Sequence, residues 1–190
     1  MIIDYKNFIA GNYIDAVVCD NMITYFENCK YKTRGNVSKE NELKTDFSIK
    51  KSTDLHIQLH NNDKEIMAYY SELNKVLESY KKLYPYCNNI HGNWAINEDW
   101  NIQRYKPNEG FYKWHTERRD LSNSARHLVF MTYLNDVNDG GETEFYHQKL
   151  KVKPKKGLTL IWGADWTFVH RGIPSKTETK YIATGWYSYS

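Results

Sequence analysis

The stretch "FYKWHTERRD", residues 111–120, places a histidine and a glutamate two positions apart in a segment rich in aromatic residues. Aromatic residues favour β-strands, and successive side chains of a strand point to opposite faces. We therefore predict that His115 and Glu117 point to one side of a strand, while Trp114 and Thr116 point to the other. An imidazole and a carboxylate that face the same interior point are a candidate pair of metal ligands.

The sequence around this stretch consists of short β-type runs separated by turn signals. After residue 90 the runs are "NIQRY" (101–105), "FYKWHTE" (111–117), "RHLVFMTYLN" (126–135), "TEFYHQKLKVK" (143–153), "LTLIW" (158–162), "TFVHRG" (167–172) and "KYIATGWYSY" (180–189). Roughly eight strands in about 100 residues are typical of a sandwich or barrel. We therefore predict that residues 91–190 form a mainly β core that contains the functional site.

Residues 1–90 are predicted to contain two helices that support this core. The first has Asn12 or Asp15 near its start, and the second begins at Asp63 and is stopped by Pro85. The apolar stripe of the first helix is Ile14, Val17, Val18, Met22, Tyr25 and Phe26, and that of the second is Ile66, Met67, Tyr70, Leu73, Leu77, Tyr80 and Tyr84. Each stripe predicts a helix face that packs against the β core.

The segment "KYKTRGNVSKENELKTDFSIKKSTD", residues 30–54, lies between the two helices and has no sustained hydrophobic period. Its polar composition predicts a solvated loop, and the alternative is a mobile flap that closes over a site.

The chain has 190 residues. This length suffices for one substantial core but not for two, so residues 1–190 are predicted to form a single domain.

Composition and charge exclude several classes of protein. Apolar residues make up 41% and charged residues 26%, as in an ordinary soluble protein, while the aromatic share of 15% suits a sheet-rich core or an aromatic-lined cavity. The 26 basic residues are spread among 23 acidic ones, and the net charge is +3. Because no basic stripe is present, nucleic-acid binding is not expected.

Neither a membrane location nor a disulfide framework is expected. No apolar run approaches the roughly 18 residues that a transmembrane helix needs, and the first residues lack the pattern of a signal peptide. The protein is therefore predicted to be cytoplasmic. The cysteines, Cys19, Cys29 and Cys87, are odd in number and lack C-x-x-C spacing, so we expect reduced, structural thiols.

A third metal ligand is sought among the remaining histidines, and His170 is the best candidate because its strand is late and ends at a glycine. Two histidines and a carboxylate form the facial triad of non-haem Fe(II) enzymes. The alternative is that each histidine is a hydrogen-bonded core or surface residue.

Strand alternation also directs Lys180 to the same face as Ile182, Thr184 and Trp186. A lysine turned into a barrel needs an anion, unless its ammonium reaches solvent at the barrel mouth.

The segments "QRYKPNEGFYKWHTE", "RHLVFMTYLNDVNDGGETEF", "VKPKKGLTLIW" and "HRGIPSKTETKYIATGW" occur in this order between about residues 101 and 187. In these segments the chain resembles the Fe(II)- and 2-oxoglutarate-dependent dioxygenases, and among them the prolyl 4-hydroxylase-like group. The resemblance implies a double-stranded β-helix, also called a jelly roll, with supporting N-terminal helices. It covers nearly half the chain, and residues before about 90 match no motif of the group.

The resemblance also implies roles for individual residues. His115, Glu117 and His170 are expected to ligate Fe(II). Lys180 is expected to pair with the distal carboxylate of 2-oxoglutarate, and Tyr105 to hydrogen-bond the same carboxylate. Thr132 and Trp186 occupy positions that line the pocket in relatives. One departure is Glu117, because the group usually has aspartate there, and the extra methylene requires the backbone or rotamer to adjust.

The implied reaction uses O2 to hydroxylate a C–H bond and converts 2-oxoglutarate to succinate and CO2, with ascorbate as a supporting reductant. The expected substrate is a prolyl residue of a peptide or protein, and Tyr112, Trp114, Trp166 and Trp186 could form an aromatic rim that binds it. These aromatic residues could instead belong to the core. A free amino acid or another small metabolite is the alternative substrate. Two other interpretations are a non-catalytic module that binds a metal or peptide, and an iron-free cupin or zinc protein.

Overall fold

The computed structural model describes residues 2–4, 6–39, 42–89 and 92–190. Its strands are β1 (Ile2–Asp4), β2 (Ile9–Tyr13), β3 (Thr33–Arg34), β4 (Val37–Lys39), β5 (Glu42–Lys44), β6 (Thr53–Ile57), β7 (Trp94–Ala95), β8 (Trp100–Tyr105), β9 (Arg126–Tyr133), β10 (Thr143–Phe145), β11 (Leu150–Val152), β12 (Leu158–Gly163), β13 (His170–Gly172) and β14 (Lys180–Tyr189). The helices are α1 (Ala16–Asn28), α2 (Lys64–Leu83) and the short α3 (Tyr86–Asn89), with 3₁₀ turns at Leu121–Asn123 and Trp166–Phe168.

Two antiparallel sheets form the double-stranded β-helix that the sequence predicted. The large sheet has the order β1-β2-β12-β9-β14-β8-β6-β3, with β7 paired to β14. The small sheet has the order β11-β10-β13, and β4 pairs with β5 in a separate hairpin. Tyr133 links the two sheets, because its buried hydroxyl lies 2.6 Å from Thr143 Oγ1 and 3.1 Å from the carbonyl oxygen of Val152, both within hydrogen-bond distance. The space between the sheets is therefore closed at this point by hydrogen bonds.

Alternation along β9 divides the interior into two cores. Val129, Met131 and Tyr133 belong to the core between the two sheets. Leu128 and Phe130 face the other way and join the core beneath the helices. Each strand in the centre of the large sheet is consequently covered on both faces, which explains why these strands are apolar at nearly every position.

Helices α1 and α2 cover the outer face of the large sheet, as their apolar stripes predicted. The carboxylate of Asp15 caps α1 by accepting a hydrogen bond from the backbone N–H of Val17 at 2.8 Å. Two details of the predicted stripes are wrong, because Val17 and Met67 are exposed. The buried positions are Cys19, Met22 and Phe26 in α1, and Ile66, Tyr69, Leu73, Val76, Leu77 and Tyr80 in α2.

The large sheet also contains strands from the first 90 residues, which the sequence pattern did not predict. Strands β1, β2, β3 and β6 all belong to it, and β6 pairs with β8 across five residues, from Thr53 opposite Arg104 to Ile57 opposite Trp100. Two of the predicted C-terminal strands are also shorter. The run 143–153 divides into β10 and β11 around a turn, and the run 167–172 begins with a 3₁₀ turn before β13.

The prediction of a solvated loop over residues 30–54 is wrong for much of the segment. It contains β3, β4, β5 and the start of β6, and it buries the polar side chains of Lys50, Ser52 and Asp54. The backbone N–H of Gly35 donates to the carbonyl of Ser52 at 3.1 Å, and that of Lys51 donates to Gly110 at 2.9 Å. Residues 40 and 41 lie outside the described residues. The rest of the segment is therefore joined to the large sheet and to the chain before the candidate site.

All three cysteines are free, as expected, and burial raises the pKa of the Cys19 thiol to about 11. This thiol is consequently protonated and unreactive near neutral pH. Within residues 2–4, 6–39, 42–89 and 92–190, no helix has the length and apolar character that crossing a membrane requires.

Gly185 on β14 provides a test of how tightly the helix-side core is packed. A Cβ atom at this position would lie 2.5 Å from both the Phe130 ring and the Cβ of Trp100. We expect Gly185→Ala to lower the free energy of unfolding by about 1–3 kcal/mol, because neither neighbour can move freely in a packed core. Urea unfolding followed by circular dichroism measures this change.

Gly92→Ala is the matched control, because no atom lies within 4 Å of a Cβ built at this exposed position. Its free energy of unfolding should stay within about 0.5 kcal/mol of the unaltered chain. Equal destabilisation by the two substitutions would contradict the packing described for Gly185.

Candidate active site

The three predicted metal ligands converge at one end of the space between the sheets. Ligand atoms of His115, Glu117 and His170 all lie within 4.8 Å of one another. The Oε1 atom of Glu117 is 3.5 Å from the Nε2 atom of each histidine. All three side chains are at least half-buried, and the two imidazole rings are tilted with their centroids 4.3 Å apart.

The backbone brings these residues together in a way that differs from the prediction. Residues 111–117 do not form a regular strand; among the described residues their β-type pairing is limited to isolated bridges at Phe111 and His115. The His115 N–H donates to the His170 carbonyl at 3.0 Å, and the His170 N–H donates to the His115 carbonyl at 2.9 Å. These two reciprocal hydrogen bonds to β13 therefore place the two imidazoles side by side, although residues 111–117 are not a strand of either sheet.

The tautomers of both histidines leave Nε2 available as a ligand. Nδ1 of His115 is 2.9 Å from the carbonyl of Lys113, and Nδ1 of His170 is 2.9 Å from that of Phe168. A carbonyl only accepts, so each Nδ1 carries a hydrogen. Burial, reinforced by the charge of nearby His170, lowers the pKa of His115. Near pH 7 its Nε2 thus presents a lone pair toward the carboxylate, and a cation would satisfy both groups.

The distances fit a metal ion with nitrogen and oxygen ligands. Neighbouring ligand atoms in an octahedron with bonds of about 2.1 Å lie roughly 3 Å apart. The observed separations of 3.5 Å between Glu117 Oε1 and each Nε2 are close to this value. Phe111 stacks on the His115 ring at 3.6 Å and 7°, which fixes the orientation of the imidazole. The donor set is therefore suited to Fe(II) or a similar divalent ion.

The second oxygen of Glu117 is held by groups that orient the longer side chain. The indole N–H of Trp186 donates to Oε2 at 3.0 Å, and the guanidinium of Arg126 lies 3.7 Å from the same oxygen. Arg126 is itself fixed by Glu98 at 2.6 Å and by stacking on the Trp186 ring at 3.5 Å. These contacts direct Oε1 toward the two histidines. Trp186 thus lines the cavity as expected, and it also contacts the carboxylate.

Lys180 lies in the same cavity with its charge buried. Its side chain is on the face of β14 shared with Ile182, Thr184 and Trp186, as strand alternation predicted. The residue is 5% exposed, and its ammonium donates to the carbonyl of Gly141 at 3.0 Å. No ion pair to it is found among the residues that the structure describes. Burial, opposed only in part by Glu142, lowers the pKa of Lys180 to about 8. A bound anion would compensate this charge.

Tyr105 lies beside Lys180, and the ammonium is 5.0 Å from the centre of its ring. Its hydroxyl donates to Oε1 of Gln103 at 2.6 Å, and Nε2 of Gln103 is 3.3 Å from Oδ2 of Asp54. The same oxygen of Asp54 pairs with the buried Lys50 at 2.6 Å. An anion at Lys180 would therefore compete with Gln103 for the hydroxyl hydrogen of Tyr105.

This chain of hydrogen bonds was missed in the sequence. Lys50 and Asp54 lie in the segment predicted to be a solvated loop, where an ion pair four positions apart looks like surface charge. Gln103 offered a clearer signal, because it shares a strand face with Tyr105. The structure places all four side chains in the wall of the cavity.

Of Thr132 and Trp186, the two residues expected to line the pocket, Thr132 lies elsewhere. Its hydroxyl contacts Tyr69 of α2 at 2.9 Å and Thr159 at 2.7 Å, on the helix side of the large sheet. The neighbouring side chain, Met131, faces the cavity instead. Because β9 is buried on both faces, hydrophobic alternation could not indicate which residues face the site.

The cavity around these groups has a volume of about 950 Å³. Its walls include residues from the 30–54 segment, among them Asn36, Ser48 and Lys50. Of the predicted aromatic rim, Tyr112, Trp114 and Trp186 line the cavity. Trp166 is not among the lining residues and is 68% exposed. The cavity is large enough to admit a small organic acid together with part of a larger substrate.

The sequence profile of the 2OG-Fe(II) oxygenase superfamily matches residues 100–188. The match spans just under half of the chain, and over this range the chain is similar to that superfamily. The matched range includes His115, Glu117, His170 and Lys180, so the geometry described above lies within it.

Curated relatives of this chain include a protein named as a dioxygenase and one named as a probable hydroxylase. Procollagen-lysine,2-oxoglutarate 5-dioxygenase 1 from Homo sapiens is 25% identical over 197 residues, covering 95% of this chain and 25% of that protein. Probable prolyl 4-hydroxylase 9 from Arabidopsis thaliana is 31% identical over 115 residues, covering 47% of this chain and 40% of that protein. The chain thus spans about a quarter of the length of the human relative.

A solved structure extends the likeness to the whole fold of this chain. The viral collagen prolyl hydroxylase of Paramecium Bursaria Chlorella virus-1, solved as its 2OG complex, aligns with a TM-score of 0.66 at 22% sequence identity. The alignment covers 96% of this chain and 97% of that chain. At this identity the comparison establishes a shared fold, the jelly roll.

The contact between Trp186 and Glu117 predicts an effect on metal affinity. Trp186→Phe removes the indole N–H that orients Oε2, so we expect divalent metal affinity to fall by about 10- to 100-fold. Anaerobic titration with Fe(II), or with Co(II) as a spectroscopic probe, measures the dissociation constant.

Trp94→Phe is the matched control, because the indole N–H of Trp94 has no hydrogen-bond partner in the described part of the chain and Trp94 lies outside the cavity lining. Metal affinity should change less than threefold in this variant. An equal loss in both variants would show that ring size, and not the bond to Glu117, determines the affinity.

Proposed function

We propose that this chain is an oxygenase that hydroxylates a prolyl residue of a peptide or protein in a reaction that requires Fe(II), 2-oxoglutarate and O2. The observation that carries the proposal is the set of three electron-rich ligand atoms, with Glu117 Oε1 3.5 Å from both imidazole nitrogens, in one cavity with a buried lysine. A divalent metal would satisfy the three ligand atoms, and an organic anion would balance the charge of the lysine.

His115, Glu117 and His170 would hold Fe(II) and occupy one face of its coordination sphere. When bound together, Fe(II) and 2-oxoglutarate supply the oxidation of a C–H bond by O2, with release of succinate and CO2. Lys180 would pair with the distal carboxylate of 2-oxoglutarate through a charge-assisted hydrogen bond. Tyr105 would contribute its hydroxyl to the same carboxylate after leaving Gln103.

The remaining residues of the cavity would orient the reactants and exclude water. Met131, Trp162 and Ile182 give the wall near Lys180 and His170 an apolar character. Such a wall strengthens the interaction between Lys180 and a carboxylate, because it replaces water with a medium of low dielectric constant. The glutamate ligand is accommodated by Trp186 and Arg126, which supports retention of a functional metal site.

A prolyl acceptor is supported by the Arabidopsis relative, which is named as a probable prolyl 4-hydroxylase and is 31% identical over 115 residues. Aromatic side chains at the cavity, namely Tyr112, Trp114 and Trp186, would suit the ring of proline. A lysyl residue is a second candidate acceptor, because the human relative named as a procollagen-lysine dioxygenase is similar over 95% of this chain. Both acceptors lie in polypeptides, which favours a peptide over a free metabolite.

Succinate formation tests the proposed reaction. Purified chain is incubated in air with Fe(II), ascorbate and 2-oxoglutarate, with peptides that contain either proline or lysine and with the corresponding free amino acids. We expect succinate that depends on iron and a peptide product heavier by one oxygen atom on proline. Fragmentation by mass spectrometry identifies the modified residue, so hydroxylation of lysine would replace the prolyl assignment.

His115→Ala and His170→Ala should each abolish succinate formation and Fe(II) binding, because two remaining ligands hold the metal poorly. Circular dichroism verifies that the variants remain folded. Full turnover by either variant would remove that histidine from the metal site. Tight zinc binding without oxygen consumption would instead favour a zinc protein.

Lys180 predicts a pH dependence of cosubstrate binding. The free protein must protonate Lys180 to bind a carboxylate, and the pKa of this lysine is about 8. We therefore expect the dissociation constant of 2-oxoglutarate to be flat below that pH and to rise about tenfold per pH unit above it. Calorimetry with a redox-inactive metal ion measures binding without turnover.

Two substitutions separate charge from shape at this position. Lys180→Ala should weaken 2-oxoglutarate binding by about 10- to 100-fold at neutral pH while changing metal affinity little. Lys180→Arg keeps its charge at all accessible pH values and should lose the rise above pH 8. Unchanged affinity in the alanine variant would mean that the anion binds elsewhere.

A further inference from the structure

A row of aromatic rings leads from the edge of the cavity to the protein surface. Trp114, which lines the cavity, contacts Tyr146 with ring centroids 5.2 Å apart. Tyr146 contacts His147 at 5.3 Å, and His147 contacts Trp166 at 5.9 Å. All three contacts are edge-to-face, with interplanar angles of 83°, 87° and 89°. We call these four residues the aromatic row.

The row is exposed although its rings are large. Tyr146 is 59% exposed and Trp166 is 68% exposed, while His147 is also on the surface. Single exposed aromatic residues are common in soluble proteins. A connected series of rings beside a catalytic cavity is uncommon, and exposed aromatic surface of this kind marks an interaction site.

The row is held rigidly by the elements that carry it. The Tyr146 N–H donates to the carbonyl of Val169 at 2.9 Å, and the Gln148 amide donates to that of Thr167 at 3.0 Å. These bonds join the turn between β10 and β11 to the segment that carries Trp166. Asp165 caps the same segment by accepting from the Thr167 N–H at 2.9 Å. The rings are therefore arranged before any ligand arrives, which lowers the entropic cost of binding.

The Trp114 ring, the first of the row, is held by a side chain that lies next to the candidate metal site. The guanidinium of Arg171 lies 4.4 Å from the centre of the Trp114 ring and is anchored by Glu144 at 2.8 Å. Trp114 directly precedes His115, and Arg171 directly follows His170. The row thus begins next to the two histidines that face the cavity, because Trp114 precedes one of them and its contact Arg171 follows the other. A polymer that lies along the row has one end directed at the candidate metal site.

We infer that the aromatic row docks an extended, proline-bearing segment of the polypeptide substrate, adjacent to the residue that enters the cavity. This inference rests on the proposed function and adds a binding surface outside the reaction centre. Proline-rich segments adopt a polyproline II conformation that exposes apolar rings and leaves backbone carbonyls unpaired. Aromatic rings bind such segments at a small entropic cost, and the polar edges of Tyr, His and Trp can bond the carbonyls.

Peptide length provides the test. Two substrates are compared, a ten-residue peptide of alternating proline and alanine and the short peptide acetyl-Ala-Pro-Ala-amide. In a variant with both Tyr146→Ala and Trp166→Ala, we expect KM for the long peptide to rise about tenfold, because two aromatic contacts are lost. KM for the short peptide should rise less than twofold, since that peptide does not extend along the row.

Direct binding gives a readout that does not depend on turnover. Fluorescence anisotropy of the dye-labelled long peptide should show the same tenfold loss of affinity in the double variant. Leu121→Ala is the control, because Leu121 is 92% exposed but belongs to a separate 3₁₀ turn outside the row and the cavity lining. This variant should bind and turn over the long peptide as the unaltered chain does.

The outcomes distinguish this inference from the proposed function. Hydroxylation of the long peptide with equal KM and affinity in the double variant would overturn the docking role alone. Binding of the long peptide that requires the row, without hydroxylation of any peptide, would support docking and contradict the prolyl activity. Equal affinity for a ten-residue peptide of alternating alanine and glycine would also overturn the inference. A row-dependent affinity for oligothymidylate in place of the peptide, or row-dependent dimerisation, would assign the row to another partner.

Discussion

The reciprocal hydrogen bonds between the backbones of His115 and His170 are the constraint on which the site depends. Their lengths are 3.0 and 2.9 Å, and they join an irregular segment to the edge of the small sheet. Elsewhere in the segment 111–117, side chains such as Thr116 and Glu117 contact other elements, but no other pair of hydrogen bonds in the described part of the chain joins the two histidines. The bridge fixes the two imidazoles next to each other and leaves Glu117, two residues later, to complete the set of ligands.

The glutamate is longer than the aspartate that the resemblance led us to expect, and the structure accommodates it through its second oxygen. Trp186 donates to Oε2, while Arg126 lies nearby and is itself bound by Glu98. These side chains come from β14, β9 and the segment before β8, so the large sheet orients the third ligand. The histidines are oriented by a loop and the small sheet. The candidate metal site therefore joins both halves of the jelly roll.

The first half of the chain also contributes to the cavity, which sequence resemblance confined to residues after about 100 did not indicate. Strand β6 extends the large sheet beside β8, and the buried pair of Lys50 and Asp54 connects through Gln103 to the hydroxyl of Tyr105. A buried ion pair is costly unless hydrogen bonds satisfy the remaining atoms, and Ser52 supplies one at 2.7 Å. The network thereby couples the 30–54 segment to the position expected to contact the anion.

The sequence by itself determined the ligand types, the spacing of His115 and Glu117, the choice of His170 and the inward direction of Lys180, because these depend on local order and strand alternation. It also determined the two helices and most C-terminal strands. Only the tertiary structure decided that residues 111–117 are not a strand. Among the described residues, the segment forms a β-bridge with β13 at His115 alone and is not paired continuously along a sheet. The tertiary structure likewise decided that Thr132 faces α2, because β9 is apolar on both faces and alternation carries no information there. The polar residues Lys50 and Asp54 became interior groups only through long-range pairing of β6, which no local pattern records.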